Sequence, residues 1–568
     1  MILFFKEVYQ LRIKALMLLI ALVFSTSITI SCRAAEPDTD ILIYGGGFAA
    51  CAAATTAAAT APEQQITLLV PYPEQKLGGI GTVGGQNFMD LRFWENNFVT
   101  KGSLYRWYTK AGRFYSSEEM AGVLEQEIKS HPNISIVFGR EIVGTNTTKQ
   151  KITNLTLQPV ERQPEGSLTW TGAPTDISAR VYIDASEDGR LSRLAGVGAS
   201  VGRQDWPREL LPEDERNQPL ARQQAATLMF KVRGVRIPSK QTTITGWQFV
   251  RDHTGSWGLA GGKNTFHNDP VLKDFNRTFG PQGFALKPIN AAQDGAGNDE
   301  WWINALLVFD VDGRARDMDR NTDNFPTHIL PGSLTVDKAW QEARDFINRP
   351  EFIQAFRRFT VTDETGQQFG FQNAKLVKGE DGKPVVGNVL YVRETIHAIN
   401  SPITGNGMEE TNFALPPSDC QQAGDGPANG ADAENYSQRM GLAHYFMDVN
   451  AYIFEDLVST GDFKWPVTEH ARPEWAEHGQ PENPVYLPYR MLISPDIQNL
   501  LLPGYATGAS SLAWSQVRVL PNLAVLGDAA GAAAAVSVEQ QITPGKFGDD
   551  QVKAVQQNLK QVNARLDK

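Results

Sequence analysis

Five residues in the last third of the chain are of types that hold an anion or move a proton. They are Arg393, Glu394, His397, Arg490 and Arg518, the first three within the segment YVRETIHAI. Histidine exchanges a proton near neutral pH, and arginine binds a carboxylate or a developing negative charge. We take all five as candidate catalytic residues. Two alternatives stay open: Arg393 and Glu394 form a structural ion pair, and His397 is a hydrogen-bonded residue without chemistry.

A glycine turn near the start of the chain suits a diphosphate. Residues 41–50 read ILIYGGGFAA, an apolar strand that breaks into a turn and an alanine-rich helix. Gly45 permits the sharp turn that continues through Gly46. Gly47 lets the backbone approach a pyrophosphate, and Ala50 keeps the helix close to the strand. The diphosphate would lie on the N–H groups of the helix N-terminus, with a plain glycine-rich loop as the alternative.

Three further segments carry small residues where a ligand would approach the backbone. LGGIGTVGG at 77–85 is a glycine-rich loop, with a surface turn as the alternative, and Val181–Ala185 reads as a strand that ends in SEDG. Leu523–Leu526 reads as a strand running into a second alanine-rich helix. Asp528 would then stand at a helix start, where its charge is favourable. A surface N-cap is the alternative for Asp528.

The rest of the pattern predicts the elements that position these residues. We expect a strand at Ile66–Val70 and short strands between Ile134 and Leu157. A capping box at Ser116 to Glu119 predicts a helix that ends near Lys129.

The length of the chain and a change in its composition and periodicity predict two domains. A chain of 568 residues is longer than one core usually supports. From 205 to 485, tryptophans, prolines and polar loops interrupt any periodicity, which we interpret as an inserted α+β substrate domain. The nucleotide-binding domain would be α/β and discontinuous, formed by 36–204 and 486–568.

Charge and the N-terminus bear on partners and location. The net charge of −11 argues against a nucleic-acid partner, and no His or Cys cluster has metal-ligand spacing. Residues 1–35 have the layout of a secretory signal, whose apolar run is too short to span a membrane. We therefore expect export to the periplasm or beyond. Cys32 is a candidate for lipid attachment, although Thr29 stands where lipoprotein signals usually carry leucine.

Four ordered motifs resemble one large family. GGGFAA, LGGIGTVGG, YIDASEDGRLSRLAG and LPNLAVLGDAAGAAAA look like those of the FAD-dependent oxidoreductases of the glutathione-reductase-like superfamily. NLLLPGYATGASSLAWSQVRVLP, YVRET and LPYRMLI are similar to an exported bacterial branch called xanthan-lyase-like. The resemblance implies a Rossmann-like FAD-binding domain of glutathione-reductase type.

The resemblance also assigns cofactor-binding residues. The FAD pyrophosphate would meet the glycine turn, Asp528 would hold the ribityl hydroxyls, and the LGG loop would run past the flavin ring. The strand around Ile142 would meet the adenine. The full set is Gly45, Gly46, Gly47, Ala50, Gly78, Gly79, Thr82, Gly84, Ile142, Ala185, Ser186, Gly527, Asp528, Ala529 and Gly531.

Several positions depart from the family pattern. Val70 ends the second strand where an acidic residue normally holds the adenosine ribose, and Glu74 is a nearby substitute or a solvated loop residue. Ser186 with its successor Glu187 replaces a Thr-Gly pair. Tyr505 and Ser511 stand where the branch often has arginine and histidine.

These motifs predict an exported FAD-dependent oxidoreductase that acts on a small organic or sugar-like substrate. A flavin carries the redox step, while the protein supplies orientation, substrate binding and proton transfer. The electron acceptor is unknown and could be oxygen, a quinone or another carrier. The alternative is an FAD-fold protein without redox turnover, acting as a polysaccharide lyase, isomerase or binding protein.

Overall fold

The computed structural model describes residues 36–218, 220–403, 408, 412–416, 436–454, 456 and 483–568. Every element below belongs to the compact unit Thr39–Lys568. The expected signal sequence with Cys32 lies outside the described residues.

A parallel five-stranded sheet forms one part of the fold. Its strand order is Leu500–Leu501, Ala179–Asp184, Thr39–Tyr44, Ile66–Val70 and Ile134–Phe138. The central strand places Ile43 opposite Ile183 on one side and Leu68 on the other. All three side chains are fully buried, which explains the unbroken apolar runs in these strands. The α/β class expected from the sequence is confirmed, and this sheet is parallel throughout.

Two alanine-rich helices pack closely together beside this sheet. We call Phe48–Thr60 the first helix and Leu520–Gln540 the long helix. A side chain at Gly527 or Gly531 would collide with the backbone of the first helix, so both glycines let the helices approach. The long helix is also the one helix in the described ranges long and apolar enough to cross a membrane, but its most apolar stretch is entirely buried inside the fold.

The predicted strand Leu523–Leu526 is wrong, because these residues lie inside the long helix. Pro521 stands in its first turn, where proline is tolerated, and a run of alanines follows. The helix is buried on every side. A short apolar run of this kind does not distinguish a buried strand from a buried helix.

A second, eight-stranded sheet is antiparallel. Its strands run in the order Thr242–Ile244, Trp247–Arg251, Trp257–Gly261, Phe284–Gln293, Glu300–Val308, Phe230–Arg233 and Lys375–Leu376, with Ala226–Thr227 also pairing to Glu300–Val308. The sheet lies within the predicted insertion, whose boundaries stay a prediction. Residues of both sheets share one hydrophobic core.

The remaining elements lie outside these two sheets and this helix pair. The other strands are Phe93–Trp94, Asn97–Phe98, Arg140–Thr148, Lys151–Arg162, Leu168–Trp170, Thr175–Ile177, Ala199–Val201, Thr360–Thr362, Gln368–Gly370, Ile396–Ala398, Arg439–Ala443 and Val485–Pro488. The other helices are Ser103–Ala111, Ser117–Lys129, Arg190–Ala195, Lys263–Asn268, Pro270–Phe279, Val336–Ile347, Pro350–Phe356, Ser511–Val517 and Asp549–Gln561. The predicted capped helix is confirmed, since the Ser116 side chain accepts the Glu119 N–H at 3.4 Å. The short strands expected between Ile134 and Leu157 are confirmed as well.

Candidate functional site

The glycine turn has the geometry its sequence requires. Gly45 adopts φ +131°, and a Cβ there would lie 2.6 Å from the Ala185 carbonyl oxygen. Gly47 precedes the first helix with an ordinary φ of −78°, and no side chain caps this helix. A Cβ at Gly47 would have a single neighbour within 4 Å, the Glu187 Oε1 at 3.4 Å. A side chain at Gly47 would therefore point towards a carboxylate oxygen.

Glu187 is held at that place by two hydrogen bonds. Its Oε1 accepts the Ile80 N–H at 2.9 Å, and its Oε2 accepts the Tyr72 hydroxyl at 2.7 Å. A side chain at Gly79 would collide with the same carboxylate. Burial raises the pKa of Glu187, and the hydrogen bond from Tyr72 opposes that rise. An anion of the protein itself thus lies where a diphosphate is expected.

The LGG loop connects the glycine turn to the antiparallel sheet. Gly78 adopts φ +108° and donates its N–H to the Gly46 carbonyl at 2.7 Å. Thr82 donates its hydroxyl to the Leu77 carbonyl at 2.5 Å, which closes the one-turn helix Gly79–Gly81.

The far end of the loop packs against the antiparallel sheet. A Cβ at Gly85 would lie 2.6 Å from the Trp302 ring. A Cβ at Gly84 would lie 2.5 Å from the Ile80 side chain, and its carbonyl approaches Gly387. The glycines of this loop are therefore needed for packing within the protein. A ligand bound at the loop would use the same close approach to its backbone. Trp301 and Trp302 are both buried.

The region expected to hold the adenosine is polar. The Tyr44 hydroxyl donates to Glu141 Oε1 at 2.6 Å. Ile142 donates its N–H to the same Glu141 oxygen at 2.7 Å, and its carbonyl accepts Arg190 Nε at 2.7 Å. Glu74 is bound by Arg162 at 2.5 Å, so this carboxylate is paired within the protein.

Ala185 and Ser186 lie directly beside the glycine turn. The Ala185 carbonyl is the nearest group to Gly45, and the Ser186 hydroxyl donates to the buried Asp184 at 2.6 Å. The Ser186 carbonyl accepts the N–H of Tyr505 at 3.0 Å. The structure thus brings these two predicted residues to the turn.

Asp528 lies elsewhere. It stands in the interior of the long helix, where its carboxylate accepts the Thr56 hydroxyl at 2.6 Å and the Ser103 N–H at 3.0 Å and hydroxyl at 2.5 Å. It therefore satisfies the N-terminus of the helix Ser103–Ala111. The expected position at a helix start beside a strand is wrong. Its neighbours Gly527, Ala529 and Gly531 are buried residues of the same helix.

Arg393 and Glu394 do not form the ion pair that was one alternative. Arg393 donates to the Ala225 carbonyl and, at 2.8 Å, to the Thr227 hydroxyl. Glu394 accepts the Gln224 N–H at 3.0 Å and the Ser511 hydroxyl at 2.7 Å. Burial, together with nearby positive charge, lowers the pKa of Arg393 to about 10.

His397 lies in a closed polar cluster. It is fully buried, and its Nε2 lies 3.5 Å from Glu394. Asp205 accepts the Ser511 N–H at 2.7 Å in the same cluster. Burial raises the pKa of Asp205 to about 7, a rise that His397 opposes. Nothing in the local sequence RQDWP pointed to Asp205.

Arg518 belongs to a different cluster, which contains a lysine that the sequence analysis missed. Arg518 donates to Asp448 at 2.6 Å and to the Tyr391 hydroxyl at 2.5 Å. Lys287 is buried nearby, and its ammonium contacts the Asn304 carbonyl at 3.4 Å. A lone lysine within the apolar run FALKPIN was the available signal. Burial lowers the pKa of Lys287 to about 7, with Arg393 as the next cause.

Arg490 is not brought to either cluster. It lies in the short turn Tyr489–Leu492 with its side chain exposed. In the part of the chain that the structure describes, no group of three or more His, Cys, Asp or Glu residues is placed to hold a metal ion.

Residues 40–409 and 431–559 match the sequence model of a family described as FAD dependent oxidoreductase. No curated protein matches the chain. Among solved structures, Thermovibrio ammonificans THI4 has 14% identity over 30% of this chain and 70% of its own, with a TM-score of 0.20. CabE, an aromatic hydroxylase from angucycline biosynthesis, has 11% identity over 65% of this chain and 56% of its own, with a TM-score of 0.28. A quinol-fumarate reductase with menaquinol molecules has 13% identity over 92% and 75%, with a TM-score of 0.26.

Proposed function

This chain belongs to the FAD dependent oxidoreductase family, and on that premise we propose that it is an exported flavoenzyme acting on a small organic or sugar-like substrate. The family defines the enzyme class and the cofactor, FAD. The motifs at both ends of the chain support placing it in the exported xanthan-lyase-like branch.

The residues at the glycine turn fit the diphosphate of FAD. The first helix has no side-chain cap, and the Glu187 carboxylate beside its N-terminus would have to move or take up a proton when the diphosphate binds. A helix end of this kind stabilises negative charge. Gly45, Gly46 and Gly47 would hold the diphosphate, with Ala185 and Ser186 beside it.

Bound FAD supplies electron transfer, and the chain supplies the substrate site. Burial lowers the pKa of Lys287 to about 7, so this amine can take up a proton when a negatively charged group binds beside it. Arg393 and Arg518 lie close enough to Lys287 to affect its pKa. His397 is enclosed with Asp205 and Glu394, so we assign it to the interior of the protein and not to substrate.

The position of Tyr505 carries this proposal, because this residue links the glycine turn to the cation cluster. We use that name for Lys287, Arg393 and Arg518. Its N–H binds the carbonyl of Ser186, beside the glycine turn. Burial raises the pKa of its hydroxyl well above the usual range, and the charged groups that act on it include Glu187, Arg518 and Arg393. A cofactor at the turn and a substrate at the cations would therefore be neighbours.

The test is the visible absorbance spectrum of the purified mature protein, before and after addition of FAD and a chemical reductant. We expect flavin bands that bleach on reduction. A protein that takes up no FAD would overturn the proposed redox function and favour the polysaccharide lyase, isomerase or binding alternative.

Export is tested separately. The N-terminal sequence of the protein recovered from the periplasm or medium of the producing cells should begin close to residue 36. Recovery of the uncleaved chain from the cytoplasm alone would contradict export. Lipid attachment at Cys32 would instead give a mature chain that begins at that cysteine.

A further inference from the structure

Two cations inside the fold lack an anionic partner. Lys287 and Arg393 are 8% and 2% exposed. Among the described residues, the ammonium of Lys287 forms hydrogen bonds to the carbonyl oxygens of Pro288 and Asn304, at 3.5 Å and 3.4 Å. Arg393 donates to the Ala225 carbonyl and the Thr227 hydroxyl. Neither forms an ion pair with a carboxylate of the described residues.

The charges around these two side chains do not balance. Besides Lys287 itself, the charged groups that act at this point are the cations Arg393 and Arg518 and the carboxylates Asp448 and Asp90, so three cations stand against two carboxylates. Arg518 already binds Asp448 at 2.6 Å. The whole chain carries a net charge of −11, so this excess of positive charge is local. A buried charge without a counter-charge is unfavourable, and an anion placed here would relieve it.

Polar atoms at the same place are also without partners. The Nε of Arg518 and the Oδ1 of Asn304 are buried and form no hydrogen bond with the described residues. Arg518 is 3% exposed and Asn304 is 7% exposed. Buried groups of this kind are normally satisfied, so a polar ligand is expected beside them.

We propose that Lys287, Arg393 and Arg518 bind a carboxylate of the substrate, which makes the substrate a small organic acid. This inference rests on the proposed function, because it takes the cluster to be the substrate site of the flavoenzyme. Tyr391 fixes the geometry of the two guanidinium groups, since Arg393 lies 5.0 Å above its ring and Arg518 donates to its hydroxyl. Arginine and lysine bind carboxylates by charge-assisted hydrogen bonds.

The test uses acetate as the probe and acetamide as its uncharged analogue of similar size. The FAD-loaded protein is titrated with each at constant ionic strength, set with sodium chloride, and the melting temperature and flavin absorbance are recorded. Acetate at tenfold its Kd should raise the melting temperature by about 1–2 °C. Acetamide should have no effect.

Matched variants locate the site. Lys287→Gln should abolish the acetate effect. Lys231→Gln is the control, since Lys231 is also partly buried in the antiparallel sheet but already pairs with Asp294 at 2.7 Å and Glu300 at 3.1 Å. Arg393→Lys, which keeps the charge, should weaken acetate binding at least about threefold. It provides the test of the site if Lys287→Gln does not fold.

The outcomes separate the two proposals. An acetate effect that persists in both Lys287→Gln and Arg393→Lys, or that acetamide reproduces, would overturn the carboxylate site. A different outcome is that the protein takes up no FAD while its melting temperature still responds to acetate and this response depends on Lys287. That result would overturn the redox function and leave the carboxylate site standing.

Discussion

The Glu187 carboxylate accepts the Ile80 N–H at 2.9 Å, and this bond holds it beside the N-terminus of the first helix. The diphosphate of FAD is expected at the same helix end and carries charge of the same sign. Two anions this close in a half-buried site repel each other strongly. Binding of FAD should therefore require Glu187 to move or to take up a proton.

The variant Glu187→Gln should bind FAD more tightly. The amide keeps the shape and can still accept the Ile80 N–H, but it removes the repulsion. We expect Kd to fall about 5- to 10-fold at pH 8, equivalent to about 1–1.4 kcal/mol. Fluorescence titration of FAD measures the Kd.

The dependence on pH is the sharper part of this test. Burial raises the pKa of Glu187, so as the pH is lowered this carboxylate takes up a proton at a higher pH than an ordinary glutamate does. The wild type should therefore bind FAD more tightly at lower pH. Glu187→Gln should show little dependence over the same range. Glu118→Gln, at an exposed ion pair with Lys76, is the control. Weaker FAD binding by Glu187→Gln would show instead that Glu187 is a cofactor ligand.

Substitution of Gly47 tests the place of the diphosphate. Gly47→Val should abolish flavin binding, and Gly47→Ala should weaken it severely, because a side chain fills the approach to the helix N-terminus. The backbone at Gly47 has an ordinary φ, so alanine should not unfold the protein. Absorbance of the purified variants gives the flavin content.

Gly122→Ala is the control for this series. A Cβ at Gly122 would meet nothing within 4 Å, and the residue lies within the helix Ser117–Lys129. This variant should keep its flavin and melt at an equal or higher temperature. Unchanged flavin content in Gly47→Val would mean that the diphosphate lies elsewhere.

The sequence predicted the parts of the site in which local pattern determines structure. The turn at Gly45 and the capped helix after Ser116 follow from neighbouring residues, and the structure has both. Asp528 shows where such reasoning fails. Its partners Thr56 and Ser103 are more than four hundred residues away in the chain, and no local pattern encodes them.

The same limit applies to the cation cluster. Lys287 lies in the strand Phe284–Gln293 and Arg518 follows the helix Ser511–Val517, and only tertiary packing gives them a common environment. A sequence shows that a lysine interrupts an apolar strand, but not whether a carboxylate pairs with it. Glu187 was visible only as a departure from a family pattern, because its effect depends on its position above the turn.

Asp528→Ala should destabilise the protein without a matching loss of flavin affinity. The change leaves the Ser103 N–H, the Ser103 hydroxyl and the Thr56 hydroxyl without their acceptor in a buried site. We expect a cost of about 2–4 kcal/mol, measured by denaturant unfolding. Asp528→Asn keeps one acceptor oxygen and should cost less. If Asp528→Ala loses FAD but keeps its stability, Asp528 is a cofactor ligand, as the family resemblance implies.

Asp205 should make stability depend on pH. Its pKa is about 7 in the folded protein, raised chiefly by burial, against a usual value near 3.8. Between about pH 4 and 7 the folded state keeps a proton that the unfolded state has lost, so this residue's contribution to stability falls as pH rises through that window. The penalty for an ionised Asp205 is absent below the window and complete above it.

The variant Asp205→Asn removes this titration and keeps an acceptor for the Ser511 N–H. Its free energy of unfolding relative to the wild type should rise from pH 4 to pH 8, by at most about 1.4 kcal/mol per pH unit. The titratable groups that face Asp205 are Glu394 and His397, and both remain in the variant. Asp214→Asn, at an exposed site, should show no such trend. A stability difference that is constant across this pH range would mean that Asp205 is ionised in the folded protein throughout.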